Sequence, residues 1–162
     1  NINDVRVGDV VSSMSAEKCM QKQFRSFLTE MRMEKYYEKL VELECADMDA
    51  IQYFDDATLK DEVGIKAGIA RKRFLGNCER MKREMNEFKS NYGIPSLAYK
   101  QLAKFGIVTL DILCREIGQE IELKNVYKIE SKNACDLLWN LIQQYKHGCK
   151  VEEDEIQQEG QQ

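Results

Sequence analysis

The sequence predicts an all-α protein built as two small bundles in tandem, joined by a long helix. Three observations carry this. Only one proline, Pro95, occurs in 162 residues, too few turn residues for a loop-rich β sandwich. Apolar residues recur at steps of three and four through most of the chain. A set of residues between Tyr37 and Leu59 returns 62 positions later, the mark of an internal repeat. Hydrophobic residues make up 43% and charged residues 32%, as in a soluble globular chain. No apolar run is long enough for a transmembrane helix, and the N-terminus lacks a signal-peptide pattern. A cytoplasmic protein without membrane insertion is expected.

Residues 1–20 are mixed and weakly periodic, and read as a linker or a docking arm. The first bundle is expected over 21–91. It opens with Phe24, Phe27, Leu28 and Met31 on one helix face. A second helix, EKYYEKLVELE, turns Tyr36, Tyr37, Leu40, Val41 and Leu43 inward. After Cys45 and Ala46, Asp47 caps a short third helix carrying Met48, Ile51 and Phe54. Asp55 and Asp56 cap a fourth with Leu59 and Val63, and Gly64 ends it. Lys66-Ala67-Gly68 makes a second tight turn. A long helix then runs from about Ile69 to Asn91, with Phe74, Cys78, Met81, Met85 and Phe88 on one face. Its length of about 35 Å suits a core helix that continues as a connector.

A second, divergent bundle is expected over 92–148. Tyr37, Leu40, Leu43, Cys45, Met48 and Ile51 return as Tyr99, Leu102, Phe105, Ile107, Leu110 and Leu113. Asp49 maps to Asp111 and Leu59 to Ile121. A closing helix spans about Asn133 to Tyr145. The glycine turn has no counterpart here: KIESKNACDLL stands where VGIKAGIARKRF stood. Residues 149–162 are acidic and Gln-rich, and are expected to be a disordered tail.

The chain offers little for catalysis. Its six cysteines lack any CxxC pair, and Cys45, Cys78 and Cys114 fall on apolar helix faces, as small buried thiols do. His147, the only histidine, cannot build a metal site or a catalytic dyad alone. There is no phosphate-binding GxxxxGK[ST] loop. No catalytic residue, metal or cofactor is expected in these residues.

The stretch LKDEVGIKAGIARKRFLGNCERM, Leu59 to Met81, resembles the sterile alpha motif (SAM) domain. Such domains carry a polar helix, a Gly-Ile or Gly-Val pair, then a second glycine and a basic residue opening the last helix. Upstream, EKYYEKLVELECADMDAIQYFDDATL looks like the segment from the second to the fourth SAM helix. The resemblance implies two SAM-like five-helix bundles in tandem. Within SAM domains, GIKAGIARKRF and the tandem order are most similar to the SARM family. Those proteins join an armadillo region, two SAM domains and a TIR domain that hydrolyses NAD. The likeness implies a non-enzymatic fragment that self-associates in a closed, octameric ring, clustering TIR effectors absent from this chain.

Charge is split along the first bundle. Residues 42–62 hold eight acids and one base, a net of −7, and residues 66–83 hold seven bases and one acid, a net of +6. The two segments are expected on different faces. SAM polymers join a mid-loop surface to an end-helix surface, and the polarity here suits that joint. The expected acidic face holds Asp47, Asp49, Asp55, Asp56 and Asp61, with Tyr53 as an apolar anchor. The expected basic face holds Lys66, Arg71, Lys72 and Arg73. Two other functions remain open: an adaptor that pairs with another protein's SAM domain, and an RNA-binding SAM domain using the basic turn. The acidic segment and the net charge of −4 argue against the latter.

Overall fold

A computed structural model describes residues 2–160, with side chains over residues 16–148. Eight α-helices follow one another without any β-strand among the described residues. They are α1 (Ile2–Glu30), α2 (Tyr37–Glu42), α3 (Asp56–Thr58), α4 (Gly68–Ser90), α5 (Ser96–Lys104), α6 (Leu110–Glu116), α7 (Glu120–Asn125) and α8 (Lys132–Gly160). Short 3-10 turns at Glu34–Tyr36 and Asp49–Gln52, and a wide π turn at Leu59–Val63, fill out the first half.

The first core forms where the periodic residues meet. Phe24, Phe27, Leu28 and Met31 on α1 are buried, as are Phe74, Cys78, Met81, Met85 and Phe88 on α4. The Phe74 ring stands edge-on to Phe27 at 5.9 Å and to Phe54 at 5.1 Å. Each such side chain contributes about 1.5–3 kcal/mol by leaving water. The second helix is shorter than its pattern suggests. Glu44 takes φ 56° and Cys45 N–H donates to Leu40 O at 3.0 Å, closing α2 at Glu42 and leaving Val41 exposed.

The second half repeats these turns. Ile107 N–H donates to Leu102 O at 3.1 Å, with Gly106 at φ 77°, matching Cys45, Leu40 and Glu44 at the spacing of 62. Past α6 the spacing becomes 64, because α6 is a full helix where the first half has only a 3-10 turn. The residue in the place of Leu59 is therefore Leu123, fully buried, and not Ile121, which is 61% exposed. The turn expected to be missing is present. Ile129 N–H donates to Leu123 O at 3.0 Å as Ile65 does to Leu59 at 2.9 Å. Lys128 stands at φ 59° where Gly64 stands at 88°.

Two expectations about the termini differ from the backbone. The segment read as a linker or docking arm is helical from Ile2. Its Ala16, Cys19 and Met20 pack on the core, and Met20 and Gln23 lie against Gly106 of the second half. The same helix then supplies Phe24–Met31 to the first half, so α1 is shared. Where composition predicts a disordered acidic tail, α8 runs on to Gly160. Its Lys, Glu and Gln residues are good helix formers, and no proline interrupts them. Residues 161 and 162 lie outside the described residues.

Candidate docking surfaces

Two of the predicted acidic residues are helix caps first. Asp47 Oδ1 accepts the Ala50 N–H at 2.8 Å, and Asp55 Oδ1 accepts the Thr58 N–H at 2.8 Å. The Thr58 backbone N–H holds the Asp55 carboxyl below the usual carboxylate range, so it stays charged. Asp49 accepts from the Gln52 side chain at 3.1 Å. These bonds fix each carboxylate through one oxygen.

Beside these caps lies a groove of about 440 Å³. Leu43, Cys45, Ala50 and Tyr53 line its apolar part, and Glu44, Asp47, Asp49 and Glu62 rim it. Tyr53 is 75% exposed. Asp55, Asp56 and Asp61 do not line the groove; all three are exposed. Burial pushes the Cys45 thiol up, with Asp47 and Glu62 adding to the shift, so it behaves as a small apolar surface.

The basic residues divide. Lys66, Lys72 and Arg73 are exposed around the first turn of α4. Arg71 is not: its side chain is 13% exposed and pairs with Asp56 at 2.7 Å. Separation of the two charged segments onto different faces fails at this pair. The left-handed turn at Gly64 brings α4 back across α3, and Arg71 reaches Asp56 from there. One exposed apolar residue that the expected basic face omitted lies beside it. Ile69 is 83% exposed, sits in the midst of the three free bases, and opens a helix whose N-cap, Ala67, makes no side-chain cap. Its signal was in the sequence: in GIARKRF it falls out of step with the stripe beginning at Phe74.

The cleft between the halves, about 330 Å³, is lined by Glu30, Arg80, Asp111, Arg115 and Tyr145 among others. Several of its charges pair: Arg80 meets Glu30 at 3.4 Å, Arg115 meets Asp111 at 3.8 Å, and the Tyr145 hydroxyl donates to Asp111 at 3.1 Å. Among the described residues, no group of three or more His, Cys, Asp or Glu is placed to hold a metal ion. No helix among them is long and apolar enough to cross a membrane. No family model, curated protein or solved structure matches this chain.

Proposed function

We propose that the chain is a tandem SAM pair whose first member docks head to tail on further copies of itself. The observation that carries this is one complementary pair of surfaces on one half. An exposed isoleucine flanked by Lys66, Lys72 and Arg73 faces solvent at the start of α4. An apolar groove is rimmed by Glu44, Asp47, Asp49 and Glu62. Ile69 entering that groove beside Tyr53 supplies the affinity. The charges orient the encounter, since each exposed ion pair adds only about 0–1 kcal/mol. A joint between unlike surfaces repeats into a ring or a filament. By its likeness to the SARM family, the assembly is a closed octameric ring that clusters TIR domains for NAD hydrolysis in cytoplasmic signalling. The fragment itself would be a scaffold with neither catalytic residue nor cofactor.

Solution mass by light scattering tests this. Wild type is expected as a large species, and Ile69→Asp and Tyr53→Asp each as a single chain of 18.9 kDa. Each variant keeps one intact surface. Mixing the two should therefore give a dimer and nothing larger. Wild type at single-chain mass at every concentration would reject self-association and favour the adaptor reading. Rising salt should lower the wild-type mass modestly as the charges are screened.

A further inference from the structure

Arg71 ties the turn before α4 to α3, whose Thr58 lines the groove. Its Nε donates to Asp56 Oδ1 at 2.7 Å on α3. Its Nη1 donates to the carbonyl oxygens of Ile65 at 2.9 Å and Lys66 at 2.8 Å. Those carbonyls follow Gly64 in the turn between the π turn and α4, ahead of the first α4 bond from Arg71 N–H to Ala67 O. The guanidinium spreads its donors over separate nitrogens, so Nε meets the carboxylate while Nη1 meets both carbonyls, whereas an ammonium holds its three donors on one atom. In the second half the same place is taken by Cys135, whose Sγ donates to Ile129 O at 3.5 Å. That is one weak, uncharged donor. The three-way tether belongs to the half that carries the charged surfaces.

We infer that Arg71 is a positioning residue, tying α3 to the basic turn and so fixing the angle between the two docking surfaces of one copy, and that it is not itself a contact to the neighbouring copy. The consequence for assembly rests on the head-to-tail reading; the tether does not. In a head-to-tail assembly every copy uses both surfaces at once. The angle between them then decides whether successive rotations close. Loosening the tether spreads that angle and broadens the distribution of assemblies, even where the charge of the basic surface is unchanged.

The full chain carrying Arg71→Lys, Arg71→Gln, Asp56→Asn or Lys72→Gln tests this by two readouts. One is amide hydrogen exchange at Ile65 and Arg71, whose N–H groups bond to Leu59 O and Ala67 O. The other is solution mass. Arg71→Lys and Arg71→Gln should both speed exchange at Ile65 by about tenfold, the change that losing a charge-assisted hydrogen bond produces. Both should broaden the mass distribution. Asp56→Asn should shift the two readouts in the same direction by less. Lys72→Gln should lower the mass and leave exchange at the wild-type rate. The inference is overturned if Arg71→Lys matches wild type in both readouts while Arg71→Gln loses assembly, since the charge alone would then matter. If wild type is a single chain, the head-to-tail reading fails, and the exchange rates still decide the tether: unchanged rates in Arg71→Lys reject it.

Discussion

At the turn before its last helix, the first half uses Gly64 and the second uses Lys128. Both take positive φ, and the residue after each donates back to a buried leucine, Leu59 or Leu123. The two halves thus share a backbone path and a core. They share almost nothing on the outside. The region of the second half that matches 42–62 is 104–126, with four acids and three bases, a net of −1. The match to 66–83 is 130–147, with two of each and a net of zero. Asn133 stands in the place of Ile69. Ser131 accepts the Ala134 N–H at 3.2 Å and caps α8, whereas Ala67 leaves α4 uncapped. The path of the chain is set by buried leucines and left-handed turns, and it tolerates two unrelated surfaces.

The largest effect should come from the change of spacing between the halves. Leu123→Ala is expected to cost about 2–5 kcal/mol, the range for a buried leucine. Ile121→Ala should stay within about 0.5 kcal/mol, as an exposed site does. Denaturant midpoints of the two variants compare them directly. Equal losses would mean that the repeat keeps its spacing of 62 through α7.

The spacing of 62 was legible because Leu40, Ile51, Leu102 and Leu113 are apolar in both copies and fully buried. The change to 64 was hidden by Ile121, an apolar residue that happens to fall at the old spacing. Lys128 hid the second turn, since side chains other than glycine pay about 1–2 kcal/mol there and composition gives no hint of it. The charged segments were plain from residue types. Whether a charge is free or already spent depends on a neighbour brought in by the fold, and Arg71 shows this. No local pattern in 42–62 or 66–83 announces the Asp56 contact, because it forms across the Gly64 turn.

A smaller effect is expected at the turn that follows the second helix of each half. Gly106→Ala should cost about 1–3 kcal/mol, because φ is 77° and the new Cβ would stand 3.2 Å from Met20 Cα on α1. The matching residue of the first half is already Glu44 at φ 56°, with no helix pressed against it. Thermal unfolding of Gly106→Ala and of Glu44→Gly should move in opposite directions. The gain in Glu44→Gly should be at most about 1 kcal/mol.

Smaller still is a dependence on pH at the contact between the halves. Burial raises the Glu116 carboxyl, but the neighbouring Gln23 amide and the bonds from Lys22 and Arg115 outweigh this and hold it below its ordinary value of 4.5. A depressed folded-state pKa contributes stability that is present above the unfolded value and lost as pH falls through the folded one. The stability difference between wild type and Glu116→Gln should therefore shrink as pH drops below about 4.5, and a difference that grows on acidification would contradict the Lys22–Glu116 contact at 3.0 Å. The least change should follow Lys128→Gly. Relief of the left-handed backbone, less the entropy of glycine, should raise the denaturant midpoint by no more than about 1 kcal/mol of stability.

Helix α1 has a thermodynamic meaning beyond its place in the fold. Its residues 16–23 lie against the second half and its residues 24–31 fill the core of the first. Melting either half strips one end of a continuous helix and bares apolar surface on the other. The free energies of the halves are then not separable quantities. Heating should give one sharp transition with matching calorimetric and van't Hoff enthalpies, and the most protected amides of both halves should exchange at a common rate. Two halves that repeat one backbone path are thus expected to melt as one.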